Sequence, residues 1–261
     1  MSSKGFFTDT SLCIGCKACE VACKEWNQLP ADGYDFTAMS YDNTGHLGAS
    51  TWRHVAFVER PAAMTAEQAE NGQLFSWLMH SDVCKHCNLA GCLENCPTGA
   101  IIRTEFDTVY VQSDICNGCG YCVSGCPFGV IDRRGEDGRA WKCTMCYDRL
   151  KDDQQPACAK ACPTQSIRFG ELDELQDYAR ERVKQLHGQG RTEAYLYGTD
   201  TEGTGPLNAF FLLTERPELY NLPPNPTAPQ KTVGQSWQTA LLAALGMLAV
   251  AAFSMENRHE R

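Results

Sequence analysis

Apolar and polar positions alternate only in short stretches of this chain. Phe6 to Ser11 predicts a brief opening strand. Trp52 to Glu59 predicts a second, with Trp52, Val55 and Phe57 as inward residues, and Asp107 to Gln112 a third. One helical period is clear: Leu172, Leu175, Ala179, Val183 and Leu186 mark one face of a helix over residues 171–186, with Gly188 placed to end it. Its simplest use is packing. Residues 31–51 are polar and glycine-containing, which predicts an ordered loop, and Asn221 to Pro229 is dense in proline, which predicts a stiff extended linker. Beyond it the pattern changes. Thr232 to Met255 carries no formal charge and, as a helix, would measure about 36 Å, enough to cross a hydrocarbon core of about 30 Å. Trp237 sits where an interfacial anchor would. Arg258 and Arg261 after the span point to a cytoplasmic C-terminus, whereas Lys231, Glu256 and Glu260 oppose that orientation. A buried, partner-facing helix is the competing reading, because alanine is only weakly apolar; the membrane span is preferred.

The rest of the chain is organised by cysteine. All 16 fall into four groups of four: Cys13, Cys16, Cys19, Cys23; Cys84, Cys87, Cys92, Cys96; Cys116, Cys119, Cys122, Cys126; and Cys143, Cys146, Cys158, Cys162. Three groups end in Cys-Pro, at Pro97, Pro127 and Pro163, as in the bacterial ferredoxin run, in which three thiolates hold one cubane and the fourth serves a neighbouring cluster. The spacing predicts four [4Fe–4S] clusters in two ferredoxin-like pairs. Disulfides suit a small secreted scaffold, and this chain is 261 residues long with no signal peptide at its start. Zinc is the stronger rival, because Cys-x2-Cys is half of a zinc ribbon, yet three cysteines within seven residues suit the corners of a cubane better. After Cys23 comes Lys24-Glu25-Trp26-Asn27 in place of proline, so a helix is expected to continue there.

The second and third groups lie close together and the other two flank them. The economical arrangement is α+β, with one dicluster domain (81–139) inserted into another built from 1–80 and 140–170, followed by an extension (171–231) and the expected transmembrane helix (232–255). On that pairing Cys84, Cys87, Cys92 and Cys126 hold one cluster, and Cys116, Cys119, Cys122 and Cys96 the next. Cys13, Cys16, Cys19 and Cys162 hold a third, and Cys143, Cys146, Cys158 and Cys23 the fourth. Exchange of the fourth ligand follows the motif rule; the choice of partners is inference. The near copies Cys96-Pro97-Thr98-Gly99-Ala100-Ile101 and Cys162-Pro163-Thr164-Gln165-Ser166-Ile167 mark an internal repeat.

Charge narrows the function. The formal net charge is −9, and four oxidised clusters with their thiolates would take it to roughly −17, which argues against a nucleic-acid partner. Lys17, Lys24, Lys85, Arg133, Arg134 and Lys142 either offset cluster charge or are solvated surface residues. The six histidines show no metal-ligand pairing. His86 lies inside a cluster loop, where it reads first as a packing or solvent residue. No glycine-rich nucleotide loop and no nucleophile–base pair is visible, so no catalytic residue is assigned. The expected role is electron transfer.

Several segments carry a specific resemblance: Cys13-Ile-Gly-Cys-Lys-Ala-Cys-Glu-Val-Ala-Cys23-Lys-Glu-Trp-Asn27, Cys116-Asn-Gly-Cys-Gly-Tyr-Cys-Val-Ser-Gly-Cys-Pro-Phe128, Lys142-Cys-Thr-Met-Cys-Tyr-Asp-Arg149, Cys162-Pro-Thr164 and Pro217-Glu-Leu-Tyr-Asn-Leu-Pro223. The chain resembles the iron–sulfur (beta) subunit of respiratory formate dehydrogenase, within the four-cluster subunits of molybdopterin oxidoreductases. That resemblance implies a separate catalytic subunit with a molybdenum or tungsten pterin centre, a membrane cytochrome b subunit delivering to quinone, and four [4Fe–4S] clusters between them. It also implies the bacterial cytoplasmic membrane, on the extracytoplasmic face if the complex is exported folded. The same relay in a polysulfide, thiosulfate, dimethyl sulfoxide or nitrate enzyme is the alternative, and a zinc-stabilised docking scaffold a remoter one.

Overall fold

The computed structural model describes residues 3–34, 36–38, 41–61 and 75–259. Glu260 and Arg261, read above as charges flanking the apolar span, lie outside the described residues. Strand β1 (Lys4–Asp9) leads through a 3-10 turn (Thr10–Leu12) to helix α1 (Ala18–Asn27). A hairpin of β2 (Arg53–Pro61) and β3 (Phe75–Val83) follows. Next come α2 (Gly91–Glu94), β4 (Ile101–Arg103), β5 (Val109–Val111), α3 (Tyr121–Ser124), β6 (Asp132–Arg133) and β7 (Ala140–Trp141). The second half holds α4 (Tyr147–Lys151), α5 (Ala157–Lys160), β8 (Ile167–Glu171), α6 (Leu172–Gly188), β9 (Tyr195–Tyr197), β10 (Ala209–Leu213) and α7 (Gln230–His259).

The largest sheet has the order β8-β1-β10-β9. β1 runs parallel to β10 and antiparallel to β8, with Asp9 paired to Leu212 and Phe6 to Phe169. The first strand is thus clamped between two strands from the far end of the chain. It ends earlier than the alternation predicts because the Asp9 carboxylate accepts hydrogen bonds from Ser11 N at 2.9 Å and Ser11 Oγ at 2.6 Å, which turns the chain. One face of this sheet is covered by α6, whose Leu172, Leu175, Ala179, Val183 and Leu186 pack on Phe7, Phe210 and Leu212 as the helical period predicts. The other face turns Phe6 and Ala209 toward a core that contains cysteines.

The hairpin register pairs Arg53 with Val83 and Val55 with Ser81, so β3 ends where Cys84 begins. Val55 and Trp52 are buried and Phe57 packs against the same core. The predicted third strand is trimmed to β5, which pairs with β4. The 221–229 segment is not a free linker. Leu222 and Ala228 are buried, Tyr197 Oη donates to the Pro223 carbonyl at 2.6 Å, and Ala228 N donates to the Gly203 carbonyl at 3.0 Å. Proline stiffens the strap, and these contacts seat it on the body. Beyond the strap, α7 presents exposed Trp237, Leu241, Leu245, Leu248 and Val250. Gln230–Val250 is the one helix segment among the described residues long and apolar enough to span a membrane.

Candidate iron–sulfur centres

Each cysteine group is delivered by a loop that closes into a short helix. In the three groups ending in Cys-Pro, proline supplies no amide donor and follows helices of four residues, α2, α3 and α5. The first group lacks that proline, so α1 continues for 10 residues. The extra turn brings the Asn27 side chain back, its Nδ2 3.7 Å from Cys23 Sγ and 3.9 Å from Cys146 Sγ. The Cys-Pro-Thr repeat has a matching use. The Thr98 hydroxyl lies 3.6 Å from Cys96 Sγ, and the Thr164 hydroxyl 3.8 Å from Cys162 Sγ.

Two cavities inside the body are ringed by cysteines from different groups. One is lined by Cys84, Cys87, Cys92 and Cys126, with Lys85, His86 and Lys142 among its other walls. The second is lined by Cys23, Cys143, Cys146 and Cys158, together with Asn27, Trp52 and Arg53. α2 and α3 approach closely enough to bring Cys92 and Cys126 to one space. A Cβ on Gly91 would meet the Gly125 carbonyl oxygen at 2.3 Å, so Gly91 has no room for a side chain. The remaining eight cysteines gather in two further sets. The Cys13 thiol is pushed up by burial and by the neighbouring charges of Cys162 and Cys16. Cys122 is pushed up to about 11 by burial and by Cys116, Cys119 and Cys96.

The same electrostatics governs the inner sets. Burial and the charges of Cys158, Cys143 and Cys146 hold Cys23 well above the ordinary thiol value. Burial and the charges of Cys84, Cys126 and Cys92 do the same to Cys87. Four thiolates converging in a dry pocket repel one another, and a cationic iron core relieves both that repulsion and the desolvation. Donors aimed at sulfur complete the fit: Ala140 N to Cys116 Sγ at 3.4 Å, Met145 N to Cys143 Sγ at 3.3 Å, and Arg53 Nη2 to Cys158 Sγ at 3.4 Å. His86 is buried; its Nδ1 accepts the Val109 amide at 3.1 Å and its Nε2 has no partner among the described residues. That leaves an N–H on the wall of the Cys84 cavity.

Electrostatic neighbours link the sets in one order. Cys92 is within electrostatic reach of Cys122, Cys143 of Cys84, and Cys19 of Cys158. Exposure is greatest at the two ends, and between them Cys87 and Cys126 are half-buried. Cys16 and Cys119, each the second cysteine of an outer set, are exposed, while Cys23, Cys143, Cys146 and Cys158 are all buried.

Of the six cations singled out from sequence, Lys85 and Lys142 are buried, 0% and 2% exposed, so neither is a solvated surface charge. Lys85 is ion-paired to Asp82 and lies over the rings of Phe128 and Phe211. Lys24 instead pairs with Asp32 in the 31–51 loop at 2.7 Å. Arg53, Ser81 and Asn27 were not candidates from the sequence. Arg53 had a signal: it shares strand parity with Val55 and Phe57.

Cysteines in ferredoxin spacing, brought together around cavities lined with sulfur-directed donors, define an iron–sulfur electron-transfer protein. Two matches to the 4Fe-4S dicluster domain, over residues 12–100 and 75–172, span all four cysteine groups. The chain is 43% identical to a formate dehydrogenase iron-sulfur subunit of Haemophilus influenzae, over 84% of this chain and 68% of that protein. It is 42% identical to the nitrate-inducible formate dehydrogenase iron-sulfur subunit of Escherichia coli, over 92% and 79%. A component of the anaerobic dimethyl sulfoxide reductase of Escherichia coli is 33% identical, over 66% of this chain and 75% of that protein. The chain belongs to the family of formate dehydrogenase iron–sulfur subunits, the electron-transfer rather than the catalytic subunits of their enzyme.

Proposed function

We propose that this chain holds four [4Fe–4S] clusters and relays electrons, one at a time, from a molybdopterin catalytic subunit that oxidises formate to a membrane cytochrome b subunit and quinone. Bound, each cluster supplies a one-electron couple. The observation that carries the reading is the row of cysteine sets, buried or half-buried in its middle and reaching the surface through Cys119 at one end and Cys16 at the other. A relay needs that layout: exchange with partners at the ends and water exclusion between. The ligand sets we assign are Cys116, Cys119, Cys122 and Cys96; Cys84, Cys87, Cys92 and Cys126; Cys143, Cys146, Cys158 and Cys23; and Cys13, Cys16, Cys19 and Cys162, in that spatial order. The two cavities support the inner two sets directly. This pairing makes 81–139 a dicluster domain inserted into a second one formed by 1–80 and 140–170. The apolar, exposed α7 supports attachment to the bacterial cytoplasmic membrane; the extracytoplasmic face follows if the complex is exported folded with its catalytic partner, and the cytoplasmic face is the alternative.

The test is formate-dependent bleaching of iron–sulfur absorbance in the complex recovered through this chain. Bleaching by formate and not by other donors is the expected result. Clusters reducible by dithionite yet silent to formate, with a metal-loaded catalytic partner present, would keep the relay and discard the substrate. About four zinc ions per chain and no acid-labile sulfide would discard the relay.

A further inference from the structure

Arg53 is buried, 1% exposed, where β2 begins. Its Nη1 donates to the Ser81 carbonyl at 3.2 Å and lies 3.4 Å from Ser81 Oγ, which is itself 3.3 Å from Cys19 Sγ. Its Nη2 lies 3.4 Å from Cys158 Sγ, and its Nε is buried with no hydrogen-bond partner. The guanidinium carbon sits 4.9 Å from the centre of the Phe6 ring. Among the described residues no carboxylate forms an ion pair with it. A buried charge needs a counter-charge, and the groups that answer this one are sulfurs. Burial disfavours the guanidinium's charge, and the thiolates of Cys158, Cys19 and Cys143 more than offset that. Cys158 and Cys19 belong to different cluster sets, so one cation serves two.

Lys142 repeats the arrangement at the next gap. It too is buried without a carboxylate partner among the described residues, and its Nζ donates to the Val109 and Cys143 carbonyls. Its anionic neighbours are Cys84, Cys92 and Cys143, again from two sets. Lys85 differs, since Asp82 already answers its charge.

We propose that Arg53 is a potential-setting residue, a permanent positive charge shared by the Cys13, Cys16, Cys19, Cys162 site and the Cys23, Cys143, Cys146, Cys158 site, with Lys142 as its counterpart between the latter and the Cys84, Cys87, Cys92, Cys126 site. The inference rests on the four-cluster reading above. Reduction adds one electron to a site that is already negative, so a fixed cation and N–H donors at its sulfurs favour the reduced form and raise its potential. Sharing the cation ties neighbouring steps together: one charge shifts the potentials of two adjacent sites in the same direction.

The experiment uses the intact complex carrying Arg53→Gln or Arg53→Lys. Iron and sulfide are measured first, and each cluster is then titrated by electron paramagnetic resonance. With four clusters present, Arg53→Gln is expected to lower two midpoint potentials by a tenfold change in the reduced-to-oxidised ratio or more, about 59 mV for one electron. The other two potentials should move less, and Arg53→Lys should restore most of the loss. Lys142→Met should lower a different pair that shares one member with the first. Four intact clusters whose potentials do not move, or all move equally, would overturn the proposal. Iron and sulfide missing from the unaltered complex would instead overturn the cofactor reading. Should Arg53→Gln lose iron, arginine labelled with ¹⁵N in the unaltered complex carries the test. Arginine-nitrogen coupling on two reduced clusters is expected, and its absence from all four would sink the idea.

Discussion

The Asp82 carboxylate is the one carboxylate that the described residues pair with Lys85, whose ammonium is sealed beside Cys84 under two aromatic rings. Removing one partner of a buried pair strands the other, so Asp82→Asn should cost about 3–5 kcal/mol, read as earlier thermal bleaching of the clusters. Burial alone would raise the Asp82 carboxyl, yet Lys85 and His80 hold it well below the carboxylate range. A group depressed in this way gives its full stabilisation above the unfolded value of 3.8 and loses it only as pH falls further toward the folded value. The gap between wild type and Asp82→Asn should therefore stay flat from about pH 6 to 8. A gap that grows steadily across that range would point to a different titrating group. At the exposed end of the row, Cys119→Ser should remove one cluster and stop quinone reduction while partner binding persists; wild-type turnover with that cluster demonstrably lost would refute a linear relay. Residue identity was legible for the cysteines because spacing encodes ligand geometry directly. It was not legible for Lys85 and Lys142, because charge in a sequence says nothing about burial. Arg53 lay between these cases: the alternation that selects Val55 and Phe57 selects it too, and only its charge argued for the surface.

Among the elements, the short helices α2 and α3 matter beyond their size, since their contact sets the distance between Cys92 and Cys126. Gly91→Ala would drive a Cβ into the Gly125 carbonyl, and rigid backbone there cannot yield cheaply. The expected outcome is loss of one cluster, about four iron atoms per chain by analysis, with the other clusters retained. Full iron content in that variant would show that the two helices can part without consequence. The amphipathic face of α6 and the continuation of α1 past Cys23 were both readable, one from the 3.6-residue period and the other from a missing proline. β10 was not. Its Ala-Phe-Phe-Leu-Leu run is buried on both faces, so it lacks the alternation by which a half-exposed strand declares itself. The strap at 221–229 misled for a related reason: proline content reports stiffness, and only the buried Leu222 and Ala228 reveal that the stiff segment is docked.

For the whole molecule, the division between the body and α7 is sharp. The membrane-length segment of α7 meets the body only at its first residues, Gln230 and Lys231, so a chain truncated after Pro229 should keep its full iron content and leave the membrane fraction. Loss of clusters on truncation would mean that α7 supports the fold and would weaken its reading as a span. The sheet that closes the body has a consequence in time. β1 leaves a ribosome long before its neighbours β8 and β10, and Asp9 is matched to Leu212. Until those late strands emerge, the segment leading to Cys13 has nothing to lie against, and Cys162 has not yet been made when Cys13, Cys16 and Cys19 are already outside. On the proposed pairing, the Cys13, Cys16, Cys19 and Cys162 set is therefore the last that can be completed during biosynthesis, and the clasp that β8 and β10 form on β1 shuts only after Leu213 has been translated.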